Sequence, residues 1–147
     1  MIQPMSDLPE RHTGGCLCGA VRYEVRGALR DVVNCYCSMC QRLHGGVGPH
    51  SKADKADIAI IEGRGLKWYA SSDRARRGFC GECGSGLFWE PVNQPGTGIL
   101  AGSLDQPTGI SIIGHIFVGE KCDFTGIAGD APQFDGSSDG AIQDDVL

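Results

Sequence analysis

Seven of the chain's eight cysteines stand in three tight groups. Cys16-Leu17-Cys18 is a CxC pair, Cys35-Tyr36-Cys37-Ser38-Met39-Cys40 a CxCxxC run and Cys80-Gly81-Glu82-Cys83 a CxxC pair. Thiolate sulfur binds zinc at about 2.3 Å in a tetrahedron, which sets two sulfurs on one ion about 3.7 to 3.8 Å apart. Cysteines one or two residues apart reach that spacing with little strain, so the three groups predict metal ligation rather than disulfides.

The groups divide by what each can complete. Cys16 and Cys18, at i and i+2, share a face of an extended chain, and Gly15 and Gly19 give the backbone freedom to close the bite. Between Cys80 and Cys83 the chain can fold back on itself, with Gly84 suited to the positive φ of the turn. Together these pairs make four thiolates, the closed set of a structural zinc. Cys35, Cys37 and Cys40 offer three thiolates and leave a fourth position for water or substrate, the pattern of a reactive zinc. The expectation is therefore two zinc ions per chain, one in each set. Two alternatives attach to the second set. His44, one helical turn after Cys40, could close the fourth position, or Cys37 and Cys40 could act as a redox dithiol. His12, His50 and His115 have no neighbour at ligand spacing and read as structural; Cys122 stands alone and reads as a spare thiol.

The elements that must position these groups are short. The 23 glycines in 147 residues imply many tight turns. In Gly14 to Gly27, apolar Val21, Tyr23 and Val25 alternate with Arg22 and Glu24, a strand signal. Further strands are expected at Asp31 to Cys35, Val47 to Ser51, Ile58 to Ile61, Leu66 to Ala70, Gly86 to Trp89, Gly98 to Leu104 and Ile112 to Val118. Cys37 to Leu43 predicts one helical turn, stopped by Gly45 and Gly46. The run Ser71 to Arg77 reads as a solvated strand or loop. Alternatively, one of its arginines offsets the charge of a four-thiolate zinc or holds a substrate carboxylate. Residues 1–12 read as a flexible leader, residues 13–136 as a zinc domain and residues 137–147 as an acidic flexible tail, with Phe134 as a last anchor.

The net charge of −5 argues against nucleic acid as a partner. The first residues lack the charged and apolar regions of a secretory signal, and no run approaches the roughly 20 apolar residues that span a bilayer. A cytoplasmic location is expected, where thiols stay reduced and grouped cysteines point to metal.

The order Gly15-Cys16-Leu17-Cys18-Gly19-Ala20-Val21, Asn34-Cys35-Tyr36-Cys37-Ser38-Met39-Cys40 and Arg77-Gly78-Phe79-Cys80-Gly81-Glu82-Cys83-Gly84 resembles the glutathione-dependent formaldehyde-activating enzyme family, also called the centromere protein V domain family. Gly102-Ser103-Leu104-Asp105, His115-Ile116-Phe117-Val118 and Pro132-Gln133-Phe134-Asp135-Gly136 extend the likeness. Where the family usually reads lysine, alanine, proline, tryptophan, this chain has Lys121-Cys122-Asp123-Phe124. The resemblance implies a mainly β fold, the β-tent, with small antiparallel sheets tied together by zinc. It also implies a structural zinc on Cys16, Cys18, Cys80 and Cys83 and a second zinc on Cys35, Cys37 and Cys40. The activity it implies is a carbon-sulfur lyase of the S-hydroxymethylglutathione synthase type, with glutathione or another small thiol as partner and Cys35, Cys37 and Cys40 holding the reactive metal. The rival expectation is a zinc-stabilised binding module without catalysis.

Overall fold

The computed structural model describes residues 10–142, and the fold is mainly β. Strands β1 (Arg11–Gly15), β2 (Arg22–Arg26) and β5 (Ile58–Glu62) form a three-stranded antiparallel sheet in the order β1-β2-β5. A seven-stranded sheet runs β10-β3-β4-β9-β8-β7-β6. It is built from β3 (Arg30–Cys35), β4 (Gly48–Asp54), β6 (Leu66–Ala70), β7 (Ala75–Cys80), β8 (Gly86–Pro91), β9 (Gly96–Leu100) and β10 (Ile112–Ile116). Its pairings are antiparallel except β10 with β3, which is parallel. The one α-helix among the described residues is α1 (Ser38–His44).

The alternation read in β2 holds with one addition. Tyr23 and Val25 are buried, and so is Glu24. Its carboxylate is tied to Arg11 at 2.9 Å and to Arg26 at 2.5 Å, which removes the penalty of burying an unpaired charge. Arg11 pairs with Arg26 and His12 with Val25 in the β1–β2 ladder, so the leader expected through residue 12 already carries strand structure at these two positions. Residues 1–9 lie outside the described residues.

Two other expectations are corrected. The Gly98 to Leu104 run is not one strand: β9 ends at Leu100 and a 3-10 turn follows at Ala101–Ser103. Ser103 Oγ donates to Leu100 O at 2.7 Å and meets the buried Tyr23 hydroxyl at 2.7 Å, so the turn is tied to the core. The Ser71 to Arg77 run is also no solvated segment throughout, because its second half opens β7, an interior strand between β6 and β8. Ala75, Arg77, Gly78 and Cys80 of that strand are buried, while Arg76 stays out and stacks over the Trp68 ring at 3.9 Å.

Two apolar clusters follow. The larger joins Val21, Tyr23, Val25, Leu87, Phe88, Ile99 and Leu104 between the sheets. The smaller joins Val33, Cys35, Cys40 and Ile116, with Phe117, Phe134 and Ile142 packed against it. Phe134 is held on both sides, its N–H donating to His115 O and its carbonyl accepting from Val118 N. Ile142, in the stretch assigned to the tail by the sequence, packs on this cluster; residues 143–147 lie outside the described residues.

Candidate metal centres

The first centre forms where the chain leaves β1 and where it leaves β7. The turn after β1 carries Cys16 and Cys18; β7 ends at Cys80, and the next turn carries Cys83. The four sulfurs all lie within 4.8 Å of one another. Cys16 and Cys18 are 3.7 Å apart and Cys18 and Cys80 3.8 Å, the separation of two thiolates on one tetrahedral zinc. Gly84, at φ 84°, closes the second turn with its N–H on Cys80 O at 2.8 Å.

Backbone donors face these sulfurs. Val21 N–H donates to Cys16 Sγ at 3.2 Å and Glu82 N–H to Cys80 Sγ at 3.3 Å. The Ser85 hydroxyl and backbone N–H, together with other neighbours, pull Cys83 down to about 5. The Ala20 N–H pulls on Cys18 as well, but burial and the neighbouring thiols outweigh it and push Cys18 up to about 12. Four adjacent sulfurs cannot all ionise unaided, and a bound cation is what releases the remaining protons. The donor set and its spacing fit zinc.

The second centre is more local. Cys35 ends β3, Cys37 is the N-cap of α1, and Cys40 lies in the first turn of that helix. Cys40 N–H donates to Cys37 Sγ at 3.5 Å, so a thiol does the capping normally done by an oxygen. Gly45 ends the helix at φ 78°. The three sulfurs lie within 4.8 Å of one another, with Cys35 and Cys40 buried and Cys37 half-buried. Hydrogen bonds from the Cys35 and Cys40 thiols draw Cys37 down to about 2. Those same contacts with Cys37 and Cys40 push Cys35 up. Cys40 rises to about 11, the pull of the Cys35 thiol being outweighed by Cys37 and by burial. The three sulfurs oppose one another's ionisation, and a bound cation would convert the set to three thiolates.

These sulfurs line a cavity of about 390 Å³ together with His50, Arg74, Arg77 and Trp89. Arg77 is buried on β7; its Nε donates to Ser71 Oγ at 3.3 Å, and its Nη1 is buried without a hydrogen-bond partner. Of the roles open to the arginine run, this places a cation beside the three-sulfur set rather than the four-sulfur set.

The histidines divide differently from the sequence reading. His44 groups with Cys40 and His50, all within 4.8 Å, and not with the three thiolates as a set. His50, read as structural, is the residue that spacing missed, since β4 carries it there and only the register Cys35↔Gly48 reveals the approach. His115 meets the Tyr36 hydroxyl at 3.0 Å, and His12 faces Glu10. Cys122 belongs to none of the metal-suited groups among the described residues.

The chain is mainly β, with two cysteine clusters whose geometry could hold metal ions. The family model described as "Glutathione-dependent formaldehyde-activating enzyme" matches residues 11–120, and the chain belongs to that family. A protein of Halomonas elongata provisionally named a glutathione-dependent formaldehyde-activating enzyme is 30% identical over 107 residues, which cover 64% of this chain and 68% of the relative. A crystal structure of a Rhodobacter sphaeroides protein superposes with a TM-score of 0.55 at 27% identity, covering 68% of this chain and 97% of that one. No helix among the described residues is long and apolar enough to cross a membrane.

Proposed function

We propose that the protein is a zinc-dependent enzyme of the carbon-sulfur lyase type, joining formaldehyde to glutathione or a similar small thiol and reversing that reaction. The structural zinc would be held by Cys16, Cys18, Cys80 and Cys83, and the reactive zinc by Cys35, Cys37 and Cys40. The observation that carries this reading is the position of the three-sulfur set in the wall of a cavity of about 390 Å³, where a small thiol can reach it.

A zinc ion on these sulfurs would supply Lewis acidity that favours the thiolate form of a substrate thiol near neutral pH. In the forward direction the substrate sulfur bonds to the carbonyl carbon, the carbonyl π pair becomes an oxygen lone pair, and the proton lost by the thiol is regained on that oxygen. The chain's own groups orient the partners. Arg77 lines the same cavity, and its guanidinium suits a substrate carboxylate. Buried Cys35 and Cys40 fix the inner wall, and half-buried Cys37 forms the side that substrate meets.

The test is exchange NMR with isotope-labelled formaldehyde and glutathione, comparing interconversion with and without protein. Exchange faster than the spontaneous reaction, lost in a folded Cys37→Ser variant, is the expected result. No acceleration by zinc-loaded protein would leave the zinc-stabilised binding module as the reading.

A further inference from the structure

Beside the three-sulfur set lies a second group of donors, which shares Cys40 with it and adds two histidines that the proposed reaction does not use. Cys40 Sγ and one ring nitrogen each from His44 and His50 lie within 4.8 Å of one another. The Nε2 atoms of both histidines are buried and have no hydrogen-bond partner. His50 is only 1% exposed, so an unmet polar atom there carries an uncompensated desolvation penalty.

The surroundings aim these groups inward. His50 Nδ1 lies 2.8 Å from Gly48 O, so Nδ1 carries the proton and donates, leaving the Nε2 lone pair free. A backbone carbonyl holding one ring nitrogen is the usual support of a metal-binding imidazole. Gly48 makes room for the convergence. A Cβ there would stand 2.7 Å from His50 Cε1, 3.0 Å from Cys40 Sγ and 3.0 Å from His44 Cδ2. Helix α1 brings Cys40 and His44 one turn apart, and β4 brings His50 to meet them.

We propose that Cys40, His44 and His50 form a second seat for the ion of the three-thiolate centre, with Cys40 common to both seats. One thiolate and two imidazoles suit zinc as three thiolates do. Charge decides between one shared ion and two at once. Three thiolates around one divalent ion leave a single negative charge, which the buried Arg77 offsets. A second divalent ion in contact would leave excess positive charge beside that same guanidinium in a buried setting, where like charges cost most. A single ion therefore serves both positions.

The inference rests on the reading that Cys35, Cys37 and Cys40 hold zinc, but not on the lyase activity. Its test is zinc content by mass spectrometry after reconstitution and gel filtration under reducing conditions, with near-UV circular dichroism as the check of folding. The native chain, the Cys35→Ser/Cys37→Ser pair and the His44→Ala/His50→Ala pair should each hold about two zinc per chain, and the combination of all four changes about one. A fall to about one in the cysteine pair overturns the histidine seat. About three in the native chain overturns the sharing of one ion. Loss in the histidine pair alone overturns the three-thiolate site and leaves the histidine seat standing. Cadmium NMR on the chain carrying only His50→Gln supplies a second readout. A shared ion gives an exchange-broadened line in the native chain that sharpens in the variant. A line equally sharp in both would overturn the proposal.

Discussion

Gly65 lies against the sulfur of Cys80 so closely that a Cβ on Gly65 would stand 2.7 Å from Sγ. Gly81 N–H donates to Gly65 O at 2.7 Å, and Gly65 N–H to Ala20 O at 2.9 Å, so the backbone here cannot withdraw without breaking a bond on either side. The loop before β6 therefore acts as a wall for the four-sulfur centre.

Gly65→Ala should push that sulfur out of place. The expected loss is about 1–3 kcal/mol, the usual cost of overpacking a closed site. Urea unfolding of the zinc-loaded protein, with metal content measured in parallel, checks it; unchanged stability and full retention of metal would contradict the close packing.

Removing metal should unfold the chain rather than merely silence it. A structural zinc contributes on the order of 10–16 kcal/mol in small domains, as much as the roughly 5–15 kcal/mol of a whole fold. Cys80→Ser should accordingly lose near-UV circular dichroism, whereas Cys37→Ser should keep it. Equal loss in the two variants would mean that both centres are structural.

Arg77→Met should weaken the thiol substrate through its carboxylate. A charge-assisted hydrogen bond is worth about 1.5–3 kcal/mol, which corresponds to a KM higher by roughly ten- to a hundredfold. Neutral small thiols lacking a carboxylate should show no such change, and steady-state kinetics with both kinds of substrate separates this role from a structural one.

Tyr23 sets the alkaline limit. Burial pushes its phenol up to about 12 despite the hydrogen bond with Ser103. Because the folded value is raised, the stability it contributes is complete below the unfolded value of about 10 and is lost as pH rises toward 12. The size is roughly 2–3 kcal/mol. Phenolate absorbance should show a late-titrating component near pH of about 12 that Tyr23→Phe removes, and the same variant should flatten the fall in stability above pH of about 10.

The cysteine sets were readable because their geometry is local. A CxC or CxxC pair carries its own spacing, and three such groups needed no knowledge of the sheets. The alternation of Val21, Tyr23 and Val25 was equally direct. His50 was not readable, and Arg77 was readable only as one of several arginines in a run with a solvated alternative, for a shared reason. Arg77 follows Ser71-Ser72-Asp73-Arg74, a run whose polarity hides the start of interior strand β7. His50 reaches Cys40 only through the β3–β4 register, which no residue of either strand announces by itself. The buried charge of Glu24 was concealed in the same manner, since its partner Arg11 comes from the neighbouring strand.

The two sulfur sets differ in how far along the chain they reach. Cys35, Cys37 and Cys40 are all present once residue 40 exists, while Cys18 must wait for Cys80, 62 positions later. On a ribosome, a chain emerging from its N-terminus offers the reactive set first and completes the structural set only afterwards. An ion held by the four-sulfur set, as proposed, would thus be the second to find a full complement of ligands, and a nascent chain short of zinc would fill its local site before the four-sulfur set is complete.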